Sequence, residues 1–171
     1  DDSSADHYPG SHAKEVPLDG VDTDCDGYDV CRDLNCDGYP DLVFPGYWRT
    51  YDSSDRSIVW YGSGSGFVDR TPLETGGSGD AHIEDLDGDG YLDIVFAAVG
   101  HVTSSYDNDS SIWWGGPDGP TQDASLTTWL PSQGSNSLCV DDLDGDGVSE
   151  IVLPSAYNGS YGSTGTYDTP T

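Results

Sequence analysis

A nine-residue acidic pattern occurs three times in this chain and constrains its fold more than any other feature. Every copy has a carboxylate or carboxamide at positions 1, 3, 5 and 9 and a Gly at position 6. These side chains, with the backbone carbonyl of position 7, would surround a hard cation that takes six to eight oxygen ligands. The pattern therefore predicts three calcium loops. The candidate ligands are Asp33, Asn35, Asp37, Tyr39 and Asp41 in loop 1, Asp85, Asp87, Asp89, Tyr91 and Asp93 in loop 2, and Asp142, Asp144, Asp146, Val148 and Glu150 in loop 3.

The alternative interpretation of these acidic segments is a turn without a metal. Asp-Gly dipeptides are ordinary turn formers, so the pattern alone does not require an ion. Four acidic or amide groups within nine residues nevertheless crowd negative charge, which is repulsive unless a cation joins the groups. This repulsion favours the calcium interpretation.

The residues after each loop exclude a helical calcium hand. The twelfth position of such a hand carries a bidentate carboxylate, whereas this chain has Phe44, Phe96 and Leu153 there. Each of these residues ends an apolar stretch that starts directly after position 9 and predicts a buried β-strand. One ion would therefore connect a loop to the strand that follows it.

The loops are part of longer repeats. Their first residues, Asp33, Asp85 and Asp142, are 52 and 57 residues apart, a period typical of propellers and solenoids. Further strands are predicted at 57–62 and 111–115, at 67–73 and 126–131, and at 80–84 and 137–141. Four short strands per period are typical of a β-propeller blade, and 23 Gly and 10 Pro disfavour helices.

We therefore predict an all-β fold of about three four-stranded, propeller-type blades. The predicted divisions are an acidic, Cys-containing N-terminal segment (1–32), two blade repeats (33–84 and 85–141) and a partial third repeat (142–171).

Roughly residues 19–160 resemble the FG-GAP and VCBS-type repeats of integrin α-like β-propellers. The clearest copy is the Asp85 loop with residues 81–84 before it and the strand at 94–97 after it. Asn35 and Glu150 depart from the family's aspartates, and the phenylalanine-glycine pair that names the family is not evident before the loops. The resemblance implies calcium bound between the first strands of each blade, and an adhesive or structural role.

Three repeats are fewer than the four or more blades that usually close a propeller. Either the chain is an excerpt of a longer propeller, or a neighbouring copy completes the third blade. The 30 residues from Asp142 onward and the 32 before Asp33 together approach one period, which favours head-to-tail self-association. A contact of this kind that does not close produces a filament, and it would cover an exposed blade edge.

A fourth acidic cluster precedes loop 1. Asp22, Asp24 and Asp26 are followed by Gly27, so the cluster predicts either a fourth calcium site or an acidic turn held by a disulfide.

The four cysteines are Cys25, Cys31, Cys36 and Cys139. Their spacing misses the paired Cys-x2-Cys pattern of zinc sites, so we expect disulfides in an oxidising compartment, with three pairings possible. The sequons at Asn108 and Asn158 are candidate glycosylation sites of an extracellular protein.

Composition excludes several functions. A net charge of -27 with only five Lys and Arg argues against nucleic acid as a partner. No apolar run approaches the length of a membrane span, and no motif of a hydrolase, metalloprotease or phosphate loop is present. We expect no enzymatic activity.

The aromatic pairs Trp60-Tyr61 and Trp113-Trp114 have two interpretations: packing between blades, or stacking on sugar rings. The sequence thus predicts a secreted, calcium-stabilised structural or adhesive protein, such as a subunit of an extracellular filament. The alternatives are a carbohydrate-binding propeller lectin and a fragment of a closed adhesion-receptor propeller, so glycans or surface proteins are candidate partners.

Overall fold

The computed structural model describes residues 14–23, 25, 27–47, 56–99, 109–123, 125–132 and 134–154, together with the backbone of residues 164–168. In this part of the chain there are ten β-strands and no helix, and hence no helix long and apolar enough to cross a membrane. The strands are β1 (Leu42–Phe44), β2 (Ser57–Tyr61), β3 (Asp69–Leu73), β4 (Ser78–Glu84), β5 (Asp93–Ala98), β6 (Ser110–Trp113), β7 (Thr128–Leu130), β8 (Cys139–Asp141), β9 (Glu150–Pro154) and β10 (Thr164–Asp168).

The strands form three antiparallel sheets in which chain neighbours are hydrogen-bonded. Sheet 1 has the order β1-β2-β3, sheet 2 has the order β4-β5-β6-β7, and sheet 3 has the order β10-β9-β8. The prediction of an all-β fold with propeller-type blades is confirmed. Each predicted calcium loop leads directly into a strand, namely β1, β5 or β9. In β5 and β9 the first and third residues after position 9 are buried, whereas in β1 Leu42 and Phe44 are exposed and Val43 packs against the core.

The sheets do not follow the repeat boundaries drawn at the loops. β4 lies before loop 2 and pairs with β5 after it, and β8 and β9 are related in the same way around loop 3. A loop is therefore the hairpin connection within a blade. The complete blade, sheet 2, extends from Ser78 to Leu130.

Within the described residues, each of the two outer sheets has three strands rather than four. In sheet 3, β10 pairs with β9 and takes the place of the second strand, although its sequence does not follow the aromatic strand pattern of the other repeats. In sheet 1, the residues described ahead of loop 1 include no strand equivalent to β4; residues 27–32 form bends and irregular backbone.

Two buried clusters hold the three sheets together. One lies between sheets 1 and 2 and includes Val59, Ile94 and Phe96. The other lies between sheets 2 and 3 and includes Val95 and Ile151. Since successive side chains of a strand point to opposite faces, β5 supplies both clusters and is buried throughout.

The second aromatic pair follows the same alternation. Trp113 is buried in the cluster between sheets 1 and 2, and Trp114 packs against the other cluster. Trp113 is thus a packing residue and is inaccessible to a sugar.

Candidate metal centres

The three loops share one backbone conformation around their first aspartate. In each, the N–H of the Gly at position 6 donates a hydrogen bond of 2.9 Å to Oδ2 of the Asp at position 1. The pairs are Gly38 with Asp33, Gly90 with Asp85, and Gly147 with Asp142. All three glycines have positive φ, which Gly adopts without steric cost.

The acid at position 9 connects the loop to the sheet. Its carboxylate accepts the N–H of the Leu at position 2, at 2.8 Å in loop 1, 2.9 Å in loop 2 and 2.7 Å in loop 3. In the first two loops its other oxygen accepts the N–H of the Gly after the second strand: Asp41 from Gly62 at 2.8 Å and Asp93 from Gly115 at 2.6 Å.

Loops 2 and 3 bring three carboxylates each to one point. One oxygen from each of Asp85, Asp87 and Asp93 lies within 4.8 Å of the others, and Asp142, Asp144 and Asp146 are arranged in the same way. An all-oxygen donor set of this kind fits a hard cation such as Ca²⁺ rather than a metal that prefers nitrogen or sulfur.

Loop 1 has an amide at position 3, and its geometry differs accordingly. Asn35 donates from Nδ2 to Oδ2 of Asp37 at 3.1 Å. Its Oδ1 is buried and has no hydrogen-bond partner. A buried carbonyl oxygen without a donor is costly, and a cation in the loop would satisfy it.

The acids at position 9 of loops 1 and 2 have raised pKa values. Burial raises the pKa of Asp93 to about 7, against the opposing effect of its hydrogen bonds from Gly115 and Leu86, and nearby Asp87 and Asp89 raise it further. Burial likewise raises the pKa of Asp41 to about 6. A cation would favour the ionised form of both groups.

In a comparison with known protein families, two segments of the chain match the family model of the FG-GAP-like repeat: residues 33–96 and residues 85–153. The chain belongs to the FG-GAP-like repeat family. Each match begins at a candidate calcium loop and ends in the strand after the next loop. No curated protein and no solved structure is significantly similar to the chain.

Ahead of the FG-GAP-like repeats, the fourth acidic cluster adopts part of the same loop conformation. The N–H of Gly27 donates to Asp22 Oδ2 at 2.9 Å, and Cys25 and Gly27 have φ of 57° and 97°. Asp24 and Asp26 lie outside the described residues.

Glu15 is the residue that sequence reasoning missed at this cluster. Its Oε2 accepts the N–H of Thr23 at 3.0 Å, the bond that the acid at position 9 makes in the FG-GAP-like repeats. Glu15 is buried and precedes the cluster, so no spacing within the pattern points to it.

The cysteines divide into one disulfide and two thiols. Cys31 and Cys36 are bonded, whereas Cys25 and Cys139 are free, so the expectation that all four form disulfides is wrong for the latter pair. Cys25 lies in the N-terminal segment, and Cys139 lies on β8 of sheet 3, in a different part of the fold. The candidate glycosylation sites Asn108 and Asn158 are outside the described residues.

Proposed function

We propose that this chain is an extracellular, calcium-stabilised structural or adhesive module that does not catalyse a reaction. The observation that carries the proposal is the convergence of Asp85, Asp87 and Asp93 in loop 2. Asp93 is only 1% exposed and is hydrogen-bonded to both the loop and the end of the next strand. An ion at this point would stabilise the hairpin on which the blade is built.

Calcium would supply the positive charge that the loops lack. In loop 2, Asp85 orders the backbone, Asp87 adds an exposed carboxylate, and the buried Asp93 fixes the loop against the sheet. In loop 3 the clustered carboxylates are instead the exposed aspartates at positions 1, 3 and 5, and loop 1 uses the amide oxygen of Asn35. We propose one ion per loop, and a fourth at Asp22, Asp24 and Asp26 on the strength of their sequence pattern.

An extracellular location is supported by the family and by the cysteines. FG-GAP-like repeats are typical of extracellular adhesion proteins, and a disulfide such as Cys31–Cys36 persists in oxidising compartments. We propose that the protein is secreted, carries glycans at Asn108 and Asn158, and acts by binding surface proteins or glycans and by head-to-tail self-association.

The proposal is tested by thermal unfolding in calcium and after chelation. Three occupied sites with weak extracellular affinities would raise the melting temperature by roughly 10 °C or more. Asp87→Asn should reduce this increase, whereas Asp123→Asn, which changes an exposed acid outside the loops, should leave it intact. Equal melting temperatures with calcium and with EDTA would refute a stabilising role for calcium.

The number of ions is a separate measurement. Calcium bound per chain, determined by isothermal titration calorimetry, should be three or four. A value of four that falls to three in Asp22→Asn would place the additional ion in the N-terminal cluster.

A further inference from the structure

One face of sheet 1 packs against sheet 2. The residues of its opposite face belong to neither of the two buried clusters. We call this opposite side the open face. Its cross-strand rows are Phe44, Ile58 and Pro72, and Leu42, Trp60 and Arg70. None of these six residues belongs to either cluster or is among the hydrophobic residues packed against one.

Residues equivalent to the open face are buried in the other two sheets. Leu42 and Phe44 are the first and third residues after position 9 of their loop and are 40% and 51% exposed. Their equivalents Ile94 and Phe96 in sheet 2 are 0% exposed. In sheet 3 the equivalents Ile151 and Leu153 are also buried.

The buried equivalents define a rule for how consecutive sheets pack. Ile94 and Phe96 of sheet 2 pack into the cluster with Val59 of sheet 1, and Ile151 of sheet 3 packs into the cluster with Val95 of sheet 2. Each sheet therefore presents the first and third residues after its loop to the sheet that precedes it. Sheet 1 presents the same side chains to no sheet among the described residues.

The aromatic strand supports this equivalence. Trp60 and Trp113 both stand two residues before the Gly that donates to the acid at position 9. Trp113 is buried between sheets 1 and 2, whereas Trp60 is half-buried on the open face. The open face is thus a third copy of the sheet-packing surface, and no sheet among the described residues covers it.

We propose that the open face binds sheet 3 of a second copy of this chain, in a contact that repeats the packing between consecutive sheets. This inference rests on the proposed structural role and identifies the surface through which copies associate. The occupant is the outward face of sheet 3, which carries Cys139, Asp141 and Val152. Val152 is the equivalent of Val95 and Val43, which face the following sheet in their own blades.

Charge favours a second copy as the occupant. Arg56 and Arg70 line a cavity of about 320 Å³ on the open face with Ile58 and Pro72. They are two of only five basic residues in a chain of net charge -27, and Arg56 also pairs with Glu74 at 2.6 Å. The open face therefore concentrates positive charge that an acidic surface on another copy can complement. The outward face of sheet 3 offers the exposed Asp141.

Composition and geometry agree with this assignment. Aromatic residues and Arg are enriched in the centres of protein interfaces, and the open face combines Phe44 and Trp60 with Arg70. Because the two surfaces differ, the contact is heterologous, and copies would join in one direction into chains or rings.

The first test is sedimentation equilibrium in calcium and a reducing agent. The average mass of the unmodified chain should rise with concentration. Phe44→Asp should weaken association at least tenfold, because it places a charge in the contact. Phe67→Asp is the matched control, since Phe67 is a similarly exposed Phe that belongs to neither row of the open face, and this variant should associate normally.

The second test identifies the partner surface. In a Cys25→Ser background, which removes the other free thiol, Phe44→Cys on the open face should form intermolecular disulfides with the native free thiol of Cys139 on oxidation, giving a ladder of covalent oligomers. Adding Cys139→Ser to this variant should abolish the ladder. Dimers that persist after this addition would mean that two open faces meet each other, which would overturn the proposal.

A chain that remains monomeric at every concentration would also overturn the proposal, and would leave the open face to a blade of a longer polypeptide or to a different protein. This failure is distinguishable from failure of the calcium proposal. Phe44 is exposed, so Phe44→Asp should keep the calcium-dependent melting temperature whether or not copies associate.

Discussion

Asp93 accepts a hydrogen bond of 2.6 Å from the backbone N–H of Gly115, which joins the end of loop 2 to the end of the neighbouring strand β6. Asp41 and Gly62 form the same bond at 2.8 Å in sheet 1. The acid at position 9 therefore supports the backbone independently of any metal. The acid at position 9 thus has a structural role in the backbone that the exposed loop acids do not share.

Replacing Asp93 by Ala should destabilise the protein even without calcium. The change leaves the N–H groups of Leu86 and Gly115 without their acceptor, at a cost of about 2–4 kcal/mol. Asp87→Ala, at an exposed loop position, should cost far less in EDTA. Urea unfolding of both variants in EDTA measures the difference, and equal stabilities would contradict the backbone role.

The disulfide in loop 1 places a side chain where the other loops have glycine. Cys36 has φ of 58°, and the equivalent Gly88 and Gly145 have φ of 74° and 83°. With the crosslink removed by Cys31→Ala, Cys36→Gly should therefore be more stable than Cys36→Ala by about 1 kcal/mol, because Gly adopts positive φ without strain.

Thermal or urea unfolding of the two double variants tests this expectation. Both lack the same disulfide, so their difference reports the backbone conformation alone. Greater stability of the Ala variant would mean that the loop changes its conformation once the disulfide is absent.

The pH dependence of stability should reverse when calcium is added. Burial raises the pKa of Asp93 from 3.8 to about 7, so between these values the folded chain binds more protons than the unfolded chain. Stability in EDTA should therefore fall as pH rises from about 5 to 8. In calcium it should rise over the same range, because the ion requires ionised carboxylates.

Urea unfolding at pH 5.5 and pH 8, with and without calcium, measures both trends. Asp93→Asn removes the titrating group and should reduce the pH dependence in EDTA. An unchanged dependence in this variant would assign the effect to other acids.

The loops and the strands after them could be predicted because the information is local. The spacing of Asp85, Asp87, Asp89 and Asp93 lies within nine residues, and the apolar run after it matches β5. The family model matches over these same segments. Local spacing also predicted the bounds of the aromatic strands to within a few residues. For example, β6 ends at Trp113, whereas the predicted strand ended at Gly115.

Features that depend on distant parts of the chain were not predictable. The Glu15 carboxylate accepts the N–H of Thr23 only because the N-terminal segment folds back on itself. The backbone N–H of Glu15 also donates to the carbonyl of Cys36 at 3.1 Å. β10 forms by pairing with β9, although its own residues carry no aromatic signal of the repeat. The free thiols of Cys25 and Cys139 likewise reflect where the fold places them rather than their number.

Substitutions at two equivalent glycines would show how much the packing of the N-terminal segment contributes to stability. Gly90 and Gly147 occupy position 6 of loops 2 and 3 with φ of 89° and 90°, so Ala is equally strained by the backbone at both. A Cβ at Gly90 would lie 2.3 Å from Cβ of Pro17, whereas a Cβ at Gly147 meets nothing within 4 Å. Gly90→Ala should therefore be less stable than Gly147→Ala by about 1–3 kcal/mol, the usual cost of overpacking.

Urea unfolding of the two variants in EDTA gives this difference without a contribution from calcium. The Gly90 carbonyl also accepts the N–H of Cys31 at 3.0 Å, so displacing Pro17 should loosen the segment that carries the fourth acidic cluster. Faster amide hydrogen exchange at residues 14–32 in Gly90→Ala, but not in Gly147→Ala, would follow. Equal stability and equal exchange in the two variants would mean that the segment does not pack on loop 2 in solution.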